Sequence, residues 1–78
     1  DGLEAGKVSI PHDSPLVGME LGNADLRRKT GASVVAIWRN KMVEASPLPD
    51  FVLHAGDVLV VIGTDEAIEA VRELVDGV

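Results

Sequence analysis

The residues of this 78-residue chain best suited to chemistry are its cations, and four of the seven lie between Arg27 and Arg39. A guanidinium such as that of Arg27 can bind a phosphate through two parallel hydrogen bonds. Arg27 also has a purely structural interpretation, because a cation near the end of a helix is favoured by the helix dipole while it stays in solvent. The residues leave both interpretations open for Arg27. For Arg28 and Lys29 they favour the solvated, dipole-stabilising role.

The other reactive side chains do not form a recognisable catalytic or metal-binding set. His12 and His54 are isolated, the chain has no cysteine, and no serine has a base arranged beside it. The acidic residues after position 64 fall on the polar face of a predicted helix and lack the spacing of a calcium-binding loop. A weak cation site at an interface stays open as a lesser alternative. We therefore predict no enzyme activity, no catalytic residues and no metal-binding residues.

Composition indicates one small domain with an aliphatic core, since 46% of the residues are hydrophobic and only 3% are aromatic. No apolar run approaches the length of about 20 residues that spans a bilayer. The net charge of −6 argues against nucleic-acid polymers as partners, because their phosphates are bound by clusters of Lys and Arg. The chain starts at Asp1 without a leader, and we expect it to be an excised domain of a longer protein.

Local patterns predict the order β-α-β-β-β-α. The first strand spans residues 7–11, and a helix follows over 19–29, weakened at Gly22, with Asn23 able to cap its better part and Gly31 just beyond its end. The other predicted elements are strands at 33–38, 42–45 and 58–62, a hairpin turn at 39–41, a short extended piece at 51–54, and a helix at 65–75.

The fold class that this order indicates is α+β, with a single small, mostly antiparallel sheet and two helices packed on it. Residues 1–6 are predicted to be a loose segment and residues 7–78 the domain. The unbroken apolar run from Val58 to Ile62 is typical of a strand that is covered on both faces. Gly56-Asp57, before this run, is typical of a turn, and Thr64, after it, can cap the last helix.

Two stretches of the chain resemble a known family of regulatory modules. The first runs from Leu21 to Ile37 and contains Asp-Leu-Arg-Arg-Lys-Thr-Gly-Ala-Ser-Val-Val-Ala-Ile. The second is Pro47-x-Pro49-Asp50-Phe51-x-Leu53-x-x-Gly56-Asp57-x-Leu59-x-Val61-x-Gly63. With both stretches in order and at the expected separation, the chain from Lys7 to Leu74 resembles the TrkA-C domain. That domain is the C-terminal lobe of the regulator of potassium conductance (RCK) module.

The resemblance implies a cytoplasmic regulatory lobe on the inner face of a membrane protein: a potassium channel, a potassium uptake system or a cation–proton antiporter. Such lobes form homodimers and bind small effectors at or near the dimer interface, without a tightly bound cofactor. The effector is cyclic di-AMP in one branch of the family, and another nucleotide or a divalent cation in others. A ligand-free dimerisation module, with effectors bound on another lobe, is the alternative interpretation.

The cyclic di-AMP branch also implies which residues contact the ligand. The ligand lies across the two-fold axis, over apolar residues of the first helix and under a proline, while an arginine reaches its phosphates. The matching positions are Leu21, Leu26, Arg27 and Pro49. Ser33 stands where that branch tends to carry asparagine, and serine has a shorter reach and fewer hydrogen-bond donors.

Overall fold

The computed structural model describes residues 2–78, which form four strands and three helices around one core. In chain order these are β1 (Glu4–Ser9), α1 (Leu21–Ala24), α2 (Leu26–Thr30), β2 (Ser33–Arg39), β3 (Met42–Ala45), β4 (Val58–Gly63) and α3 (Asp65–Asp76). The strands form one sheet in the order β1-β4-β2-β3, and every neighbouring pair is antiparallel. The predicted α+β architecture is confirmed, with the first predicted helix divided into α1 and α2.

The core lies between one face of the sheet and helices α2 and α3. Alternate strand residues point into it, among them Leu59 and Val61 of β4, both fully buried. On α3, apolar residues at helical spacing such as Val71 and Val75 complete the core. Thr64 caps this helix as predicted, because its hydroxyl accepts a hydrogen bond from the Ala67 amide at 3.1 Å.

The other face of the sheet is open, which corrects the expectation that β4 is covered on both sides. Its side chains are half-buried or exposed. This surface, which we call the open face, includes Lys7, Val58, Val60, Ile62, Trp38 and Val43. An apolar run in a sequence shows that a strand avoids water on both sides, but it does not show which molecule covers the second side.

The first strand begins earlier than the sequence predicts. Residues 4–6, assigned to a loose segment, pair with residues 61–63 of β4, and β1 ends at Ser9 rather than at Pro11. Asp1, the first residue of that segment, lies outside the described residues. Glu4, Ala5 and Gly6 have little intrinsic strand preference, so their pairing depends on the neighbouring strand.

The first helix is interrupted at Asp25 rather than at Gly22. Asp25 adopts the left-handed conformation, with φ 56° and ψ 41°, and separates α1 from α2. Aspartate tolerates this conformation better than most residues because its short carboxylate bonds locally, here to Arg28. Asn23 lies within α1 and caps neither helix, contrary to the prediction. Gly31 ends α2 with φ 87°, as predicted.

Candidate functional site

An open depression of about 440 Å³ lies between the two short helices, the start of β2 and the prolines at 47 and 49. All five residues singled out from the sequence line it: Leu21, Leu26, Arg27, Ser33 and Pro49. Its remaining lining residues are Gly22, Asp25, Val34 and Pro47, which the sequence did not indicate as site residues. The structure therefore places residues from four separate parts of the chain around one surface.

The charged side of the depression comes from the junction of α1 and α2. Asp25 and Arg28 form an ion pair across one helical turn, with N···O 2.5 Å. Arg27 is exposed, and among residues 2–78 no ion pair engages its guanidinium. Local pairing therefore occupies Arg28 and leaves the donors of Arg27 available to an anion in the depression.

The apolar side of the depression is shallow. Leu21 and Val34 are half-buried, so both present apolar surface there. Leu26 is only 4% exposed and belongs mainly to the core, so it supports the floor of the depression more than it offers contact area. Pro49 is exposed, and Ser33 is half-buried at the first position of β2. Flat aromatic rings can pack against the apolar part of such a surface.

One side of the depression is a segment of irregular chain, residues 47–52, which we call the Pro49 wall. Backbone hydrogen bonds hold it against α1: the amides of Gly22 and Leu21 donate to the carbonyls of Pro49 and Phe51, both at 2.8 Å. An isolated β-bridge between Glu20 and Val52 continues the contact. The extended piece predicted at 51–54 is thus present as this bridge rather than as a full strand.

Gly22 is a site residue that the sequence indicated only as a weak point in a helix. A Cβ atom at this position would lie 3.0 Å from Cβ and 3.2 Å from the carbonyl oxygen of Pro49. The absence of a side chain thus allows the wall to approach α1 closely enough to form its hydrogen bonds. A glycine inside an otherwise helical pattern was the signal available for it.

A second charged pair, Arg39 and Asp57, lies behind the wall. The guanidinium donates two hydrogen bonds of 2.7 Å to the Asp57 carboxylate, which is fully buried and also accepts one from the His54 amide. Burial by itself would raise the pKa of Asp57, but the bonds from Arg39 and His54 outweigh it and keep the pKa below its ordinary value. The sequence assigned Arg39 to a turn, whereas the structure places it at the end of β2. Asn40 and Lys41 alone form the turn, with φ 52° and 67°.

Neither a metal cluster nor a membrane helix is seen in the described part of the chain. Residues 2–78 bring no three His, Asp or Glu side chains together as ligands for an ion. Their helices are too short, or too polar, to cross a bilayer.

Sequence comparison matches residues 7–76 to the family described as the TrkA-C domain. The chain is 38% identical over 73 residues to a probable potassium channel protein 2 of Methanocaldococcus jannaschii, covering 94% of this chain and 21% of that protein. It is 44% identical over 61 residues to the Ktr system potassium uptake protein C of Bacillus subtilis, covering 78% of this chain and 28% of that one. The chain therefore spans less than a third of these curated relatives.

Solved structures share the fold. The RCK_C domain dimer of S. agalactiae BusR in complex with c-di-AMP superimposes with a TM-score of 0.87 at 23% identity, covering 95% of this chain and 97% of that chain. The RCK C domain of the potassium transport protein KtrA, in complex with c-di-AMP, gives 0.83 at 26% identity, with 94% and 84% covered.

A third similar structure bears on the predicted absence of nucleic-acid partners. It is BusR in complex with its busAB-promotor DNA, with a TM-score of 0.85 at 24% identity, and the match covers 91% of this chain and 35% of that one. This likeness concerns the fold alone. The exclusion of nucleic-acid polymers, which rests on net charge, stays a prediction for this domain.

Proposed function

The chain belongs to the TrkA-C domain family, and from this premise we propose that it is an effector-sensing dimer domain regulating potassium transport. Its parent protein would be a potassium channel, a potassium uptake system or a cation–proton antiporter, with this domain on the cytoplasmic side. The proposed effector is cyclic di-AMP, bound at the interface between two copies. An effector of this kind acts by binding one arrangement of the dimer more tightly than another.

The observation that carries the proposal is the convergence on one depression of an apolar surface, the Pro49 wall and Arg27, an arginine that forms no ion pair within residues 2–78. Cyclic di-AMP has two phosphates and two adenines related by approximate two-fold symmetry. Two copies of the chain would supply two Arg27 guanidinium groups for the phosphates and two apolar surfaces for the rings. The depression of one copy is open, as expected for half of a site.

Charge favours a nucleotide over a divalent cation in this depression. Asp25 is the one carboxylate among the described lining residues, and Arg28 already neutralises it. A calcium ion requires 6–8 oxygen ligands, which this lining does not provide. Ser33 can donate a single hydrogen bond to a phosphate or ribose, so Arg27 would carry most of the polar recognition.

Isothermal titration of the domain with cyclic di-AMP tests the proposal, with ATP and calcium as comparison ligands. We expect one cyclic di-AMP per dimer, and a loss of affinity of at least about 100-fold in Arg27→Ala, because the change removes one charged hydrogen-bond partner, worth about 10-fold or more, from each of the two copies. Lys29→Ala is the matched control, since it removes an equal charge from α2 outside the depression. Absence of binding, or equal affinity in Arg27→Ala and wild type, would contradict the proposal.

A second candidate function, ligand-free dimerisation, is favoured by a different observation. On the open face, Trp38 is 42% exposed and Val43 is 56% exposed. Association with another copy of the chain would remove this apolar surface from water. Stable dimers without binding of any nucleotide would support this function. Sedimentation as a monomer at micromolar concentration would count against both functions.

A further inference from the structure

Apart from Phe51, which packs against the core, and the half-buried Pro47, the Pro49 wall has little packing to hold it in place. Leu48 is 67% exposed and Val52 40%, and Pro49 and Asp50 are exposed as well. A segment with few buried contacts opens easily unless other bonds restrain it. The geometry of the depression therefore depends on whatever fixes this segment.

Arg39 makes several different contacts behind the wall. Its Nη2 donates a 2.7 Å hydrogen bond to the carbonyl of Val52, and within residues 2–78 this is the one side-chain hydrogen bond to the wall's backbone. Its guanidinium also lies over the Phe51 ring, 4.7 Å from the ring centroid. Both contacts are made to residues that belong to the wall itself.

Asp57 fixes the orientation of the same guanidinium group. Nε and Nη2 bond the two carboxylate oxygens, so the guanidinium plane has one orientation. Asp57 is in turn anchored in the core side of the molecule: it is fully buried, and its carbonyl accepts a hydrogen bond from the Ile10 amide at 2.8 Å. A rigid connection thus runs from Asp57 through Arg39 to the wall.

We infer that Arg39 is a positioning residue for the effector site, holding the Pro49 wall against α1 so that Pro49 and Arg27 face the same depression. Arg39 does not line the depression. It acts through the bonds that Phe51 and Pro49 form with the amides of Leu21 and Gly22. The effect of Arg39 on effector affinity rests on the proposed function, whereas its effect on the position of the Pro49 wall does not.

Amide hydrogen exchange on the whole domain tests the positioning role without any ligand. In Arg39→Lys, which keeps the charge but loses the planar fork, we expect exchange at Leu21 and Gly22 to accelerate at least tenfold relative to Leu59 and Val61 of β4. Arg72→Lys is the matched control, because Arg72 bonds the Lys7 carbonyl at the other edge of the sheet. It should leave the amides of α1 unchanged.

A second variant keeps the test decisive if an unpaired Asp57 destabilises the whole fold. Arg39→Met combined with Asp57→Asn removes both charges together, while the asparagine can still accept from the His54 amide. The same selective acceleration at Leu21 and Gly22 is expected. Acceleration that is equal in β4 and α1, or none at α1, would overturn the inference by showing a purely global role or no role.

Titration with cyclic di-AMP then separates this inference from the proposed function. If wild type binds, Arg39→Lys should bind at least fivefold more weakly and Arg72→Lys within twofold of wild type. Unchanged affinity despite a loosened wall would overturn the inference while the proposed function stands. If wild type does not bind, the proposed function fails, and the exchange measurements alone decide whether Arg39 positions the wall.

Discussion

Two arginine–aspartate pairs flank the candidate site, and they differ in what surrounds them. Arg28 and Asp25 lie on the surface, with side chains 75% and 37% exposed, one helical turn apart. Arg39 and Asp57 are 18 residues apart in sequence, and the Asp57 side chain is fully buried. The same type of ion pair therefore joins neighbouring residues at a helix interruption in Asp25–Arg28 and links distant parts of the chain in Arg39–Asp57.

Exposure to solvent, more than the identity of the partners, determines how much an ion pair contributes to the free energy of unfolding. An exposed pair is screened and contributes at most about 1 kcal/mol. A buried carboxylate has given up its hydration, so removal of one partner from such a pair is far more costly than loss of the contact alone. The pairs should consequently respond to substitution, acid and salt in different ways.

Asp57→Ala should lower the free energy of unfolding more than any other substitution at the two pairs. This change leaves the Arg39 fork and the His54 amide without their acceptor and opens a space in a buried region. We expect a loss of about 3 kcal/mol in the free energy of unfolding, measured by urea denaturation. Asp25→Ala is the control on the other pair, and an equal loss in the two variants would remove the contrast.

Acid should weaken the buried pair through one identifiable group. Burial opposes ionisation of Asp57, but its bonds to Arg39 and His54 prevail, so its pKa in the folded state is lowered. A lowered folded pKa means that the stabilisation is present above the unfolded value of about 3.9 and is lost as the pH falls through the folded value.

Unfolding free energies of wild type and Asp57→Asn, measured from pH 6 down to pH 2, isolate this contribution. The difference between the two proteins should be constant above about pH 5 and should shrink below it. A difference independent of pH over the whole range would show that Asp57 does not titrate with folding.

A double-mutant cycle sharpens the comparison by separating the stacking of Arg39 on Phe51 from its hydrogen bonds. Phe51→Leu and Arg39→Met, alone and together, should show a coupling of about 1–2 kcal/mol in the free energy of unfolding, because Phe51 is half-buried and an exposed pair contributes only about 0.5–1 kcal/mol. The other cation–aromatic contact, Lys7 over Trp38 at 4.5 Å, lies on the open face and supplies the reference cycle. If the coupling is no larger than in that reference, stacking on Phe51 adds nothing specific, and Arg39 stabilises the fold through its hydrogen bonds to Asp57 and Val52 alone.

Arg28→Ala should change the free energy of unfolding least. Its pair with Asp25 is exposed and only three residues apart in sequence, so the loss should stay below about 0.5 kcal/mol. Urea denaturation at low and at high salt checks this, since added salt should erase the remaining difference. A loss comparable to that of Asp57→Ala would contradict the distinction between the two regions.

The sequence predicted the elements around the two pairs better than it predicted either pair. Helix α2 and its end at Gly31 follow from local signals, which also placed β2, β3, β4 and α3 close to their observed positions. Asp57 was indicated only as a turn residue that bonds nearby backbone. Its bond from the His54 amide agrees with that interpretation, but nothing near Asp57 in the sequence points to Arg39.

The candidate site was predictable to a similar extent. The resemblance named Leu21, Leu26, Arg27, Ser33 and Pro49, and the structure brings all five to one depression, where their binding role stays a prediction. Gly22 was missed as a site residue because a glycine inside a helical pattern does not indicate which distant segment of the chain approaches it. Leu26 was expected at the ligand, yet most of its surface is used by the core.

By itself, the sequence indicated most of the elements and the family, and through the family resemblance the residues predicted to contact an effector, because hydrophobic periodicity, turn residues and short motifs are properties of neighbouring positions. Tertiary structure alone decided two things: the open face of the sheet, and the connection from Asp57 through Arg39 to the Pro49 wall. Each depends on contacts between distant residues, whose free energy comes from burial and from paired charges removed from water.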